Sequence, residues 1–377
     1  MSEEVRRNTS SALRTDRMSQ IGAWAAALAV TGLLFSQLAP FGGAVGFFII
    51  DWVVFLGLYG LLASFDGDKQ AVKDRLAAAA IRGVAVNALI SLVWIVFYPF
   101  WQGFQALRHL NFFSQDMALA GPLDPLTQGG ILHALIGTLE QISIALAITI
   151  PLGLTCAVFL NETRGVFTRF VRTIVDAMTA LPSIVAGLFV YAFLILALGL
   201  EKSGLAAGCA ISVMMLPIVI RAADVVIRLV PSSLREASLA LGAGQLRTAW
   251  HVVLPSARSG LTTAILLGTA RGIGETSPVL ITAGFTAYLN ADPSSGPQIS
   301  LPLATFNFVT SPEDAMKARG FGAAAVLMLL VLMLFGLARF AAGRPAGDLS
   351  RRQRRSRDRA SARDRERFIA RMKGEKA

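Results

Sequence analysis

Arg271 and Glu275 lie four positions apart in the apolar stretch AILLGTARGIGETSPVLITAGF (264–285), and few residue pairs in this sequence are better suited to chemistry. On a helix that spacing puts both side chains on one face. A guanidinium is a fixed fork that grips two oxygens of an anion at once. The carboxylate neutralises the fork while no anion is present. An arriving oxyanion would compete for Arg271, and Glu275 would speed its release. Thr276 and Ser277 add hydroxyls beside the pair, and Pro278 interrupts the helix there and frees backbone groups. The alternatives stay open: a structural ion pair tying the segment to a neighbour, and a simple proline kink. Pro182 and Ser183, in ALPSIVAGLFVYAF (180–193), repeat the theme, because a helix that begins or bends there offers free N–H groups to an anion. Pro151 and Pro217 read as structural, and Asp51 and Glu140, nearer the ends of apolar runs, read as interfacial.

A second constellation is LVPSSLREASLALGAGQLRTAWHVVLPSARSG (229–260). Ser233 followed three residues later by Glu236 has the form of a capping box. A short helix is expected from there to about Leu241, and Gly242 and Gly244 permit the left-handed conformation that ends it. A second short helix starts near Gln245 and is limited by Pro255. Leu234, Ala237, Leu239 and Leu241 make the first helix partly apolar, so it needs cover, from a protein groove or from lipid.

The elements that must carry these residues follow from composition. The chain has 377 residues, 54% of them hydrophobic and 16% charged, with a mean hydropathy of +0.59. An average soluble domain carries about 25% charged residues. Long uncharged runs separate the charge clusters, which excludes a disordered chain, a disulfide-rich secreted domain and an ordinary cytosolic enzyme. Eight stretches are long and apolar enough to span a bilayer, at about 21–39, 44–65, 83–101, 133–160, 177–200, 203–220, 259–287 and 320–341. The first is longer than a signal-peptide core and has no A-x-A site after it, so it reads as a retained helix. With the N-terminus inside, the inside segments collect 30 Lys/Arg and the outside segments 4, with Arg271 in the membrane. That asymmetry supports an all-α polytopic protein with both ends cytoplasmic.

The net charge of +11 sits mostly in one place: residues 342–377 hold 13 Lys/Arg against 5 Asp/Glu. This basic tail, expected to be disordered, reads as a solvated terminus or as attracted to anionic lipid. Nucleic acid is disfavoured, because Phe368 is the one aromatic residue interleaved with its charges. Cys156 and Cys209, both in apolar runs, form no CxxC and no zinc spacing, and His109, His133 and His251 form no HExxH, so no metal site is expected. No G-x4-G-K-[ST] occurs either, so the chain has no phosphate-cradling Walker loop and must borrow its energy. No nucleophile constellation appears, which leaves no basis for an enzyme.

The loop 221–258 resembles the EAA loop of ABC importer permeases, EAA-x3-G-x9-I-x-LP. Glu236, Ala237, Gly242, Leu254 and Pro255 match at the family's spacing, while Ser238 and Val252 replace an alanine and the isoleucine. Four further stretches resemble the phosphate-specific permeases: GILHALIGTLEQISIALAITIPLGLTCAVFLNE (130–162, with the preceding Gly129), ALPSIVAGLFVYAF, ARGIGETSPVLITAGF (270–285) and ISLPLATFNF (299–308). Their wording is nearer the PstA-type than the PstC-type subunit. The resemblance covers about 129–341 and implies a MetI-like permease core of about five helices at 131–341. Outside it fall an N-terminal extension, 1–81, with two extra spans, a span with its outer loop at 82–130, and the tail.

The resemblance also implies a function: a permease subunit of an ATP-driven phosphate importer in the bacterial inner membrane. Its partners would be a PstC-type permease subunit, a PstB-type ATPase dimer carrying ATP and Mg, a PstS-type phosphate-binding protein, and membrane lipid. The short helix of the loop would be the coupling helix seated in the ATPase. The substrate path would hold Arg271, Glu275, Thr276 and Ser183, with Asn307 near the site where the binding protein docks. The rivals are a permease for another oxyanion or small solute and an ATP-independent secondary transporter or channel. The second predicts inverted repeats, and none is visible in the sequence.

Overall fold

The computed structural model describes residues 14–38, 43–66, 69–342 and 355–365, and every regular element among them is helical. The chain divides into two compact units, 1–97 and 98–377.

The first unit holds α1 (Arg14–Leu33, extended by a wider-wound turn at Leu34–Leu38), α2 (Ala44–Asp66) and the first part of α3 (Lys69–Leu107). Ala23 and Ala27 of α1 pack on Phe55 and Tyr59 of α2 and on Ala79 of α3. The spacing of four within each helix keeps one stripe facing the partner. Gln20 Nε2 donates to the Tyr59 hydroxyl at 3.0 Å. Asp51 continues the 55, 59 stripe one turn earlier, and this buries it: it is 3% exposed, with no hydrogen-bond partner for Oδ1 among the described residues.

The second unit contains α4 (Asn111–Ser114), α5 (Leu132–Glu162), α6 (Val166–Thr179), α7 (Ser183–Val190), α8 (Gly204–Arg228), α9 (Ser232–Ala240), α10 (Gln245–Thr248), α11 (Leu254–Ile273), α12 (Ser277–Thr282), α13 (Leu301–Val309) and α14 (Asp314–Ala342). Wider π-type turns continue α7 over Tyr191–Ala197 and join α10 to α11 over Ala249–Val253. Helix α8 is the central post, packed along α5 on one side and α11 on the other. Glycine lets these backbones approach. A Cβ at Gly208 would stand 2.7 Å from Ile144 Cγ2, one at Gly268 2.5 Å from Val219 Cγ2, and one at Gly272 2.5 Å from Met215 Sδ. Both G-x3-G pairs, 204/208 and 268/272, thus lie at close contacts.

Among the described residues, six helices are long and apolar enough to cross a membrane, or seven if the bent pair α6–α7 is one span. They account for six of the eight expected stretches. The stretch 177–200 instead starts at a bend of 110° between α6 and α7. Here Pro182, extended at ψ 140°, ends one helix and opens the next. The stretch 259–287 is broken into α11 and α12, and α11 is richer in glycine, serine and threonine than a lipid-facing helix. Glu140 is half-buried and accepts from Gln298 Nε2, so it ties α5 to a distant loop. Arg319, 1% exposed in α14, donates to the carbonyls of Asp124 (3.1 Å), Pro125 (2.9 Å) and Gln128 (2.9 Å) and latches the loop before α5. Within the basic tail, residues 355–365 form an exposed helix. Residues 343–354 and 366–377 lie outside the described residues.

In α3, Gly103 lies against the backbone of α14: an added Cβ would stand 2.6 Å from Gly322 Cα and 2.7 Å from the Phe321 carbonyl carbon. Backbone cannot step aside as a side-chain tip can. Gly103→Ala is expected to lower stability by about 1–3 kcal/mol, read as an earlier midpoint when the purified protein is unfolded by SDS titration.

Candidate functional site

Helix α11 ends at Ile273, and three residues, Gly274, Glu275 and Thr276, separate it from α12. Glu275 N–H closes a tight turn on the Gly272 carbonyl at 3.2 Å, and Leu280 N–H donates to the Thr276 carbonyl at 2.9 Å. Pro278 therefore opens a new short helix instead of kinking a long one; its missing N–H costs nothing in a first turn. Arg271 occupies the last turn of α11. Its Nη2 stands 2.9 Å from Glu275 Oε1, an ion pair whose approach is not aligned as a hydrogen bond. The two partners are unequally placed: the Arg271 side chain is 56% exposed and that of Glu275 7%. A guanidinium that open on an apolar bundle belongs against a water-filled cavity or another subunit, not against hydrocarbon.

Thr276 and Ser183 are both half-buried, and they sit at the starts of two helices that pack together, α12 and α7. The contact is close at Gly187, where a Cβ would stand 2.6 Å from Pro278 Cα. The fold thus gathers Arg271, Glu275, Thr276 and the helix of Ser183. Asn307 is used within its own helix, donating to the Leu303 carbonyl at 2.9 Å. Gln298 ties α5 to the Asn290 loop: its carbonyl accepts from Gln141 Nε2 of α5 at 2.9 Å, and its own Nε2 donates to Glu140 of the same helix and, at 3.0 Å, to the Asn290 carbonyl.

The loop between α8 and α11 is a helical hairpin. The expected capping box does not form: Pro231, extended at ψ 134°, takes the cap position, the helix starts at Ser232, and no side chain caps it. Ser233 then lies inside the first turn, where it cannot play the cap. The other end is as expected at one glycine of two. Gly242 adopts φ +84°, Gly242 N–H donates to Leu239 at 2.9 Å, and Ala243 N–H to Ser238 at 3.2 Å, a Schellman stop. Gly244 keeps φ −72°. Ser238 Oγ and Thr248 Oγ1, 2.9 Å apart, pin α9 to α10. None of the residues of α9 is buried; Glu236 and Ala237 are exposed, as are Leu234, Leu239 and, at 89%, Leu241. Leu254 and Pro255 open α11 instead of closing the second short helix.

Arg235 fastens the hairpin to the bundle, donating to the Ile227 carbonyl at 3.1 Å, with Nε 3.6 Å from Glu162 Oε1. Beside it lies a cluster that motif reading missed. Asp224 receives Arg172 at 2.9 Å, Arg228 at 2.8 Å and Asn161 Nδ2 at 2.6 Å, drawing α5, α6 and α8 together. Only its i,i+4 spacing to Arg228 was visible in the sequence. Among the described residues, no group of three or more His, Cys, Asp or Glu side chains could hold a metal ion.

Residues 149–342 match the family described as binding-protein-dependent transport system inner membrane component. The phosphate transport system permease protein PstA 1 of Mycobacterium tuberculosis is 39% identical over 264 residues, covering 70% of this chain and 85% of that protein. The chain belongs to this permease family, in its PstA-type branch. The PstA protein of Mycobacterium leprae is 38% identical over 280 residues (73% of this chain, 91% of that protein), and that of Pasteurella multocida 33% over 248 (65% and 86%). Among solved structures, the inward-facing methionine transporter MetNI is matched at 21% identity with a TM-score of 0.40, over 56% of this chain and 91% of that one. An ABC importer of alginate is matched at 14% and 0.43, over 70% and 98%. In this PstA-type chain, the family match takes in the α11–α12 break, the α9–α10 hairpin and the Asp224 cluster.

The cluster separates two kinds of ion pair. Asp224→Ala is expected to cost about 1.5–3 kcal/mol, since it removes charge-assisted bonds from a buried acceptor. Arg221→Ala, which breaks a pair half open to solvent (53% and 51% exposed side chains), should stay under about 1 kcal/mol. Thermal melts of the two purified variants check the contrast.

Proposed function

We propose that this chain is one of two transmembrane subunits of an ATP-driven importer of inorganic phosphate, forming the translocation path with a homologous PstC-type subunit. The observation that carries the reading is the Arg271–Glu275 pair, set at a helix break with the guanidinium open and the carboxylate buried. Phosphate entering the bilayer unpaired is prohibitive. A fork that exchanges one carboxylate for the oxyanion lowers that cost and still lets the ion leave. Thr276 and Ser183 add hydroxyls at the starts of the two helices that meet there, and Asn307 is placed toward the entry side.

Energy comes from outside the chain. The exposed α9, with Glu236 and Ala237 on it and its end fixed at Gly242, seats in a groove of a PstB-type ATPase dimer, which holds ATP and Mg. Leu254 and Pro255 begin the helix that leads from the hairpin to Arg271. A PstS-type binding protein delivers phosphate on the opposite side. The protein lies in the bacterial inner membrane with both ends cytoplasmic, and its basic tail meets anionic headgroups. The relatives named as phosphate permeases support phosphate over other oxyanions.

The test is phosphate uptake into proteoliposomes containing this chain, the partner permease, the ATPase and the binding protein, with ATP hydrolysis followed in parallel. Arg271→Ala is expected to abolish uptake while the complex still assembles, and Glu236→Ala to weaken the coupling of hydrolysis to transport. Uptake by this chain alone without ATP would replace the reading with a secondary transporter. Uptake inhibited equally by sulfate would move the substrate to oxyanions in general.

A further inference from the structure

The buried side of Glu275 borders a small cavity that Gln141 of α5, Gly272 and Ser300 also line. It leaves about 10 Å³ for the centre of a water molecule, which is room for about one. Two of its lining residues carry a buried side-chain oxygen without a hydrogen-bond partner, Gln141 Oε1 and Ser300 Oγ, and a third oxygen, Glu275 Oε1, has its ion pair with Arg271 Nη2 at 2.9 Å but no hydrogen bond. Their residues are 1%, 3% and 6% exposed. Native proteins rarely leave buried polar atoms without a hydrogen-bond partner.

The surrounding bonds show that these atoms are left over by design of the site. Thr138, on the same wall, is used fully: it donates to the Ala134 carbonyl and accepts from Leu301 N–H, each at 2.7 Å. Ser300 holds the cap position of α13, where a serine normally accepts from its own helix, yet its side chain makes no such bond. The Gln141 amide is oriented by its Nε2, which donates to the Gln298 carbonyl at 2.9 Å, so its oxygen is the atom left over. The cavity therefore presents two acceptors and a hydroxyl that can donate. An anion would meet the Glu275 carboxylate. A water supplies two protons and a lone pair, matching all three.

We propose that this cavity is a built site for a single water molecule, which donates to Gln141 Oε1 and Glu275 Oε1 and accepts from Ser300 Oγ. Gln141 and Ser300 are then positioning residues for the Glu275 carboxylate. The proposal rests on the reading of Arg271 and Glu275 as part of the substrate path. With water donating to it from the cavity, Glu275 Oε1 keeps its place beside Arg271 Nη2, and the exposed part of the Arg271 fork stays free for the oxyanion. Through Gln141 and Gln298 the carboxylate is also linked to the Asn290 loop.

The experiment is a map of the assembled transporter that resolves ordered water, joined to uptake kinetics. One density within hydrogen-bonding distance of the three atoms is expected, and it should vanish in Ser300→Ala. Because Glu275 serves release, that variant should lower the maximal uptake rate about five-fold, the equivalent of one hydrogen bond of about 1 kcal/mol. Its apparent KM for phosphate should not rise. A cavity that is dry or filled by a side chain, or a Ser300→Ala variant with the wild-type maximal rate, overturns the proposal. If the cavity is dry while Arg271→Ala still abolishes uptake, the inference fails and the transport reading stands. If the water is present but uptake ignores Arg271, the water site stands and the path reading fails.

Discussion

Hydrocarbon offers no hydrogen bonds, so a bundle can hold a broken helix and an open guanidinium only where protein or trapped water surrounds them. That constraint organises the second unit. The gap at Gly274–Thr276 exposes backbone groups, and the answer is close cover: α7 lies against α12 at Gly187, and α8 lies against α11 at Gly268 and Gly272. Small residues are the means of that approach, because lipid gives helices no hydrophobic reason to associate. The same crowding leaves Glu275 buried while Arg271, one turn earlier, remains open.

Much of this was legible from types and spacing. Apolar length marks a spanning helix regardless of its neighbours, so six of the eight expected stretches coincide with a helix long and apolar enough to cross a membrane. The charges at Arg271 and Glu275 stood out because an apolar background makes any charge conspicuous. The Gly242 stop was readable because a left-handed residue is a local requirement. Local signals also misled where two competed: Pro231 and Ser233 both suit a helix start, and the proline, one residue outside the helix, took the cap.

What spacing could not show was pairing across the chain. Gln141 and Gln298 are 157 positions apart, Asn161 and Asp224 are 63 apart, and Arg319 reaches carbonyls more than 190 positions away. Each involves an ordinary polar residue whose burial is decided by tertiary packing. The burial of Asp51 was hidden for the same reason: the stripe it shares with Phe55 and Tyr59 turns it inward.

The wider turns at Ala249–Val253 have a mechanical consequence. Residues 245–273 form one uninterrupted helical rod of about 43 Å, from the hairpin to the last turn before the break. A π-type turn carries one residue more than an α-turn, which amounts to an offset of about 100° in the direction side chains point. The rod therefore has a clutch near its base: the face on which Arg271 stands is set by how that turn is wound, not by the hairpin's orientation alone.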